Sequence, residues 1–340
     1  MRNWSLPGNV TYFYSVFGLR VCVNRPVSVF PPASPGQPDI SIFLEGMHPH
    51  PFGNLPHEAW YRCPDTDENG EPLLCGWKLA GGDYFHFRFS EGPEFFCDRK
   101  GETVWSFWPN DLSFDNLLTF LAGPAFGCLL FVRGTTMLHG SAIALGDKAI
   151  ALLGPPGAGK STTAAAFALS NFPILTDDIV ALAERREEFV VQPAYRRLCL
   201  WPDSVAALCG SADALPLVTA GWEKRGLELG NHGPFQQYAI PLAAIYVLGD
   251  RKSSSPSGAI TPLGSRDLLI KLLGNTYASR FPNDRQAHQF DVLARLVSRV
   301  HGRQVIPHPS SSHISALRDA IIEDFDRLER AGERCLCTTS

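Results

Sequence analysis

Eight consecutive residues, Gly154-Pro155-Pro156-Gly157-Ala158-Gly159-Lys160-Ser161, satisfy the pattern G-x-x-x-x-G-K-[ST] at every fixed position. Glycines at this spacing let successive backbone N–H groups turn inward around a phosphate. A lysine placed after them reaches the β/γ-phosphates of a nucleotide, and the next hydroxyl suits Mg²⁺. The pattern requires a strand before it and a helix after it. Residues 148–153 are mostly apolar and read as the strand, and residues 161–169 are Ala-rich and read as the helix. The helix N-terminus adds its positive dipole end to the loop. The segment from Gly154 through Thr162 is therefore the candidate nucleotide cradle, with a nucleotide and Mg²⁺ as the expected ligands.

Such a loop binds a nucleotide without saying what is done with it. Three further groups narrow the chemistry. Asp177-Asp178 stands seventeen residues after Lys160, behind the apolar run 173–175. In parallel α/β folds, carboxylates at the end of a neighbouring strand lie beside the phosphate loop. One can hold Mg²⁺ and a second can accept the proton of an acceptor hydroxyl. His139, with Gly140 and Ser141, falls fifteen residues before Gly154. A hairpin turning at Gly146-Asp147 would return it to the start of the loop, where an imidazole can steady a carboxylate and tune its pKa. Glu223-Lys224-Arg225-Gly226 sets an acid beside cations, either as a solvated turn or as a second metal carboxylate with a cation for the transferred phosphate. Arg196, Arg197 and Arg280 are weaker cationic candidates.

The elements that must position these groups divide the chain. Residues 1–110 read as β-rich: 12–23, 39–44 and 84–89 alternate with period two, broken by Pro31-Pro32, Pro35-Gly36, Pro72 and Gly81-Gly82. A helix is expected over 113–130, N-capped by Ser113 and bent or split at Gly123-Pro124. Strands follow at 137–145, 148–153 and 173–176, then a ribbon over 179–191, a short helix at 202–208 and a buried strand at 241–248. A polar loop is expected at 251–258, and helices at 266–277, 288–300 and 314–330. The expected units are an accessory or substrate-docking domain at 1–133, a catalytic domain at 134–325 and a polar tail at 326–340.

With 340 residues, 45% hydrophobic and 19% charged, the chain has the composition of a core-forming protein. A net charge of −4 gives no basic field for nucleic acid or an anionic membrane. The opening residues show no signal-type apolar core, and the longest apolar stretch, 117–132, is interrupted by Gly123, Pro124 and Gly127. Nine scattered cysteines lack C-x-x-C spacing, which argues against a zinc cage and for reduced thiols in a cytoplasmic protein.

The order His139-Gly140, Gly154–Ser161, Asp177-Asp178, Glu223-Lys224-Arg225-Gly226-Leu227 resembles bacterial HPr kinase/phosphorylase, over about 137–280. A divergent branch of HPr-kinase-related proteins is more similar still. It shares Tyr14-x-x-Phe17-Gly18-Leu19, Leu138-His139-Gly140-Ser141-Ala142, Leu175-Thr176-Asp177-Asp178 and Leu200-Trp201-Pro202-Asp203-Ser204. Several members of that branch are encoded with lasso-peptide biosynthesis genes. The resemblance implies an α/β P-loop kinase domain of the HPr kinase and phosphoenolpyruvate carboxykinase type, preceded by a β-rich domain. It implies transfer of the γ-phosphate of ATP to a serine hydroxyl of a peptide or small protein, such as the C-terminal serine of a lasso precursor. The roles implied are Lys160 and the loop amides on the β/γ-phosphates, Ser161, Asp178 and Glu223 on Mg²⁺, Asp177 as the base supported by His139, and Arg225 on transferred charge. The spacing leaves open which aspartate is the base. The chain departs from the family at Thr162, where a Glu is usual, and at Pro155-Pro156. An HPr-type kinase/phosphorylase, a small-molecule kinase and a nucleotide-binding sensor remain as alternatives. No nucleic acid or membrane partner is expected, and a homo-oligomer is allowed.

Overall fold

The computed structural model of the chain describes residues 11–45, 58–219, 222–230, 232–250, 259–277, 281, 286–308 and 310–337. The polar loop expected at 251–258 and the candidate cation Arg280 lie outside them. Among the described residues, two eight-stranded sheets and a small ribbon carry the fold.

The first sheet holds β1 (Tyr12–Val16), β2 (Leu19–Val23), β3 (Ile40–Leu44), β4 (Tyr61–Arg62), β5 (Leu74–Leu79), β6 (Tyr84–Phe89), β7 (Glu94–Asp98) and β8 (Thr103–Phe107), in the order β1-β2-β3-β8-β7-β6-β5-β4. The β1–β2 turn places Phe17 and Gly18 at φ of 54° and 74°, the left-handed pair that a two-residue hairpin needs. A Cβ at Gly18 would collide with the Gln192 side chain, and Phe17 N donates to Pro193 O at 2.7 Å. The hairpin tip is thus seated on the other half of the chain.

One face of this sheet packs against α1 (Phe114–Phe120) and α2 (Phe126–Val132), joined by a π-wound turn over Leu121–Ala125 that contains Pro124. Ser113 caps α1, its Oγ accepting from Asn116 N at 3.1 Å. The break expected at Gly123-Pro124 is this π turn, in which the helix axis continues past a proline that has no N–H to give. The stretch Phe114–Val132 is long and apolar enough to cross a membrane by composition, but 72% of it is buried inside the molecule. A single hydrophobic cluster runs from the first sheet through Leu117, Phe126 and Leu130 to Met137, Ile179 and Ala181.

The second sheet is built from β9 (Thr136–Leu145), β10 (Lys148–Leu153), β11 (Ile174–Thr176), β12 (Ile179–Arg185), β13 (Glu188–Val191), β16 (Ile240–Leu248), β17 (Ile260–Leu263) and β18 (His301–Val305). Its order is β10-β9-β12-β13-β16-β18-β17, with β11 on β9, and a β10–β16 pairing closes the first five strands into a ring. The pairs β10–β16 and β16–β18 are parallel, and every other pairing in this sheet is antiparallel. The architecture is therefore mixed α/β. The ribbon is β14 (Arg197–Leu200) with β15 (Arg225–Glu228).

Period-two alternation sorts the sheet's two faces. From β9 and β10, Ile143, Leu145, Ile150 and Leu152 join one core with α3 (Lys160–Leu169), α4 (Pro202–Cys209) and α7 (Ile314–Cys337). Ala142, Ala144, Ala149 and Ala151 join the opposite core with α5 (Ser265–Gly274) and α6 (Gln286–Val297). Helices thus cover both faces. The last helix continues through the stretch expected to be a polar tail: Leu328 packs on the core and Glu329 pairs with Lys148.

Candidate active site

The loop of residues 154–159 leaves β10 where that strand runs beside β16, Leu153 facing Val247. Gly154 sits at φ 147°, and a Cβ there would lie 2.5 Å from Leu248 O. Gly157 and Gly159 are left-handed, at φ of 77° and 96°. Gly159 is the N-cap of α3, and no side chain caps that helix. A helix N-terminus without a side-chain cap suits an anion. Lys160 is buried and folds back over the loop, Nζ donating to Gly154 O at 2.9 Å and Pro155 O at 3.2 Å.

The centre of the site is Asp177, which is 4% exposed. Its Oδ1 accepts two hydroxyls, from Ser141 at 2.6 Å and from the loop's own Ser161 at 3.0 Å. Burial, and then the charge of Asp178, push its pKa up to about 6, against the pull of those two hydrogen bonds. The aspartate pair does not follow a strand adjacent to β10, as a parallel neighbour would require. Strand β9 lies between, paired to β10 on one side and β11 on the other. Ser141 comes from that intervening strand, and links Asp177 to it.

Asp178 is held at φ +66°, a conformation that costs most residues but that Asp tolerates better than most. This turns its carbonyl toward β9, where it accepts from Gly140 N at 3.3 Å, from His139 Nδ1 at 3.1 Å and from Tyr277 OH at 3.5 Å. A carbonyl partner fixes the proton on Nδ1, so in the neutral ring the lone pair is on Nε2. Residues i and i+2 of a strand share a face, so His139 and Ser141 project together from β9. A Cβ at Gly140, between them, would collide with Leu152 O.

The other expected groups are placed elsewhere. Thr162 is buried, and its hydroxyl pairs with Ser204 Oγ of α4 at 2.8 Å. Arg225, on β15, is ion-paired to Asp213, and its Nη1 lies 3.5 Å from Leu215 O. Glu223 is exposed just before that strand. Among the described residues, no hydrogen bond or ion pair joins Glu223 or Arg225 to the Asp177 cluster. Arg197 pairs with Glu228 at 2.7 Å, and Arg196 lies over the Phe235 ring at 5.9 Å. Two residues with no role in the sequence pattern border the carboxylates. Burial, and then Asp178 and Asp177, push the Cys199 thiol up to about 12. Burial and then Asp178 raise the Tyr195 hydroxyl in the same way. Neither Tyr195 nor Cys199 sits in a recognisable spacing. Ser141 was legible as the same-face neighbour of His139.

Two clefts meet at His139. One, of about 400 Å³, runs along Gly154, Pro155 and Pro156 to Asp250, Lys271 and Gln304. The other, of about 620 Å³, holds Asp178 and Tyr277 and opens between the two sheets. The residues present fit a magnesium nucleotide. The helix N-terminus is uncapped, three glycines line the loop where a Cβ would collide or strain, and a serine hydroxyl is tied to a buried carboxylate. Among the described residues no three His, Cys, Asp or Glu side chains converge as a metal cage; Mg²⁺ takes one or two carboxylates together with phosphate oxygens.

No family model matches the sequence, and no curated protein does. Among the solved structures similar to it is the Hpr(Ser) kinase/phosphatase from Coxiella burnetii, at 10% identity and a TM-score of 0.34, covering 57% of this chain and 98% of that one.

Proposed function

We propose that the chain is a kinase that transfers the γ-phosphoryl group of ATP to a serine hydroxyl of a peptide or small protein. The observation that carries this reading is the junction Ser141–Asp177–Ser161, which ties the phosphate loop to an aspartate pair, with His139 bonded to the second aspartate's carbonyl. A protein that only holds a nucleotide has no need of a second carboxylate facing an acceptor-sized cleft.

The geometry favours a division of labour opposite to the one the family resemblance implies. Asp177, buried and bonded through Oδ1 to the loop's own Ser161, is suited to hold the metal with that hydroxyl. Asp178, lining the larger cleft, is suited to take the serine proton, with His139 steadying the turn that presents it. Bound Mg²⁺ would neutralise charge on the β- and γ-phosphates. In the transfer, the serine oxygen forms the new P–O bond, its proton passes to the Asp178 carboxylate, and the β–γ bridging oxygen leaves with ADP. The protein contributes alignment and charge neutralisation. Lys160 exchanges its loop carbonyls for phosphate oxygens. Arg225 lies on the ribbon whose Cys199 borders the carboxylates, and it would serve the transferred charge by exchanging Asp213 for phosphate oxygens. The acceptor as the C-terminal serine of a lasso precursor, and a cytoplasmic site of action, are narrower readings that rest on the sequence resemblance and on composition.

The test is label transfer from γ-labelled ATP, with nucleotide affinity measured alongside. Lys160→Ala is expected to lose nucleotide binding or turnover. Asp178→Asn is expected to keep Mg²⁺·ATP affinity and lose transfer by at least about 10²-fold, the lower range for a general base. Wild-type turnover in Asp178→Asn would remove it as the base. Failure of the wild-type protein to transfer label to any hydroxyl, despite tight ATP binding, would leave only a nucleotide-binding protein.

A further inference from the structure

The larger cleft is walled by both halves of the chain, and three features define what it takes. The first is a gap in the helical wall. Gly123 and Pro124, in the π-wound turn, line the cleft, and a Cβ at Gly123 would meet nothing within 4 Å. Single π turns within helices are frequent at functional sites. The second is the apolar character of the walls, where Phe89, Phe120 and Trp222 form one run of ring contacts, at 5.2 and 5.5 Å between centroids, and Phe281 packs on Tyr61 at 4.5 Å. The third is charge. The charged side chains lining it, His139 aside, are Asp65, Glu91 and Asp178, and no Lys or Arg lines it among the described residues. Both oxygens of Glu91 accept from Trp222 Nε1, at 3.1 and 3.0 Å. That donor is neutral, so it fixes the carboxylate in place without cancelling its charge. Asp65 is approached by the Cys63 thiol at 4.0 Å, which is also neutral.

A cleft that is aromatic inside and negative at its carboxylates repels phosphorylated or acidic metabolites and draws in a cation attached to an apolar body. Its volume of about 620 Å³ is far more than a free serine fills and lies in the range that buries most of a drug-sized ligand. We propose that this cleft is the acceptor site, and that its occupant is a basic peptide segment. The segment presents serine at Asp178, an apolar or aromatic side chain against the Gly123-Pro124 gap, and, within a few residues, a Lys or Arg side chain to Glu91 and Asp65. The proposal rests on the kinase reading only in what it assigns to Asp178. The occupancy of the cleft stands on the walls and charges alone.

Two fluorescein-labelled peptides serve as probes, Gly-Arg-Arg-Phe-Ser-Leu-Gly-amide and its counterpart with Glu-Glu in place of Arg-Arg. Binding is read by anisotropy on the full chain with Mg²⁺ and a non-hydrolysable ATP analogue, and transfer is read separately with labelled ATP. The basic peptide is expected to bind about tenfold or more tightly than the acidic one, a difference of roughly 1.4 kcal/mol. Glu91→Lys is expected to erase that preference. Gly123→Leu, a residue that suits a helix better than glycine, is expected to weaken peptide binding about tenfold while leaving ATP-analogue affinity and thermal stability intact. Equal binding of the two peptides, or no effect of either variant, overturns the proposal. Charge-selective binding without label transfer would sink the kinase reading and leave the cleft assignment standing; transfer that ignores both variants would do the reverse.

Discussion

Consider Asp177→Asn in the protein without nucleotide. The native carboxyl titrates at about 6, because it is buried and faces Asp178, whereas an exposed aspartate titrates at about 3.9. The gap of about two pH units is worth about 3 kcal/mol. The native state holds this proton to higher pH than the unfolded chain does, so stability falls as pH rises from about 4 to about 6. Above that window the whole amount is missing. Asparagine removes the charge and keeps an oxygen for Ser141 and Ser161. It also brings an NH₂ to the side where the Asp178 backbone N–H donates, a mismatch that costs about 1 kcal/mol. The expected balance is a variant about 2 kcal/mol more stable than wild type at about pH 8, with the advantage gone below about pH 4. Urea denaturation of the apo proteins at the two pH values measures it. Addition of Mg²⁺·ATP should stabilise the wild type by mass action and the variant much less. A variant that is less stable at about pH 8, or a difference that does not change with pH, would refute the claim that function here is bought with a buried charge.

Other substitutions probe the scaffold. Gly154→Ala, which must place a methyl 2.5 Å from Leu248 O at a φ of 147°, is expected to cost about 1–3 kcal/mol and to weaken ATP binding, read by thermal melting and calorimetry. Thr162→Val loses the Ser204 bond and is expected to cost about 1 kcal/mol while leaving ATP affinity within about twofold, since that hydroxyl points to α4; a large loss of affinity would return Thr162 to the phosphate site. Arg303→Met leaves Asp324, 2% exposed, without its bidentate guanidinium and with only the Tyr246 hydroxyl at 3.1 Å and the exposed Arg327 at 3.8 Å. Its expected cost is about 3–5 kcal/mol, measured by chemical denaturation.

The loop at 154–159, its strand and its helix are legible in the sequence because three signals agree locally: an apolar run, glycines where φ is positive, and an alanine-rich helix. The aspartate pair was legible for the same reason. What could not be read was anything set by long-range pairing. That β9 lies between β10 and β11, so that Ser141 and not a parallel neighbour meets Asp177, depends on sheet order, and so does the nearness of Tyr195 and Cys199. The helix expected to run on to 277 ends at Gly274, because Asn275 O is taken by His139 N at 2.7 Å. Strand β18 is not legible in the sequence because His301–Val305 is too polar to show the pattern of a core strand; only Val305 in it is buried. The polar end of the chain reads as a tail by composition, yet its Arg, Glu and Leu residues are good helix formers, and Leu328 has a core to meet.

Cutting the chain at residue 134, the boundary its composition suggests, would uncover Met137, Ile179 and Ala181, which share one apolar cluster with Leu117, Phe126 and Leu130. The released amino-terminal piece would end in a stretch apolar enough to enter a bilayer. Recombination at this junction is therefore expected to break open the apolar cluster that the two sheets share.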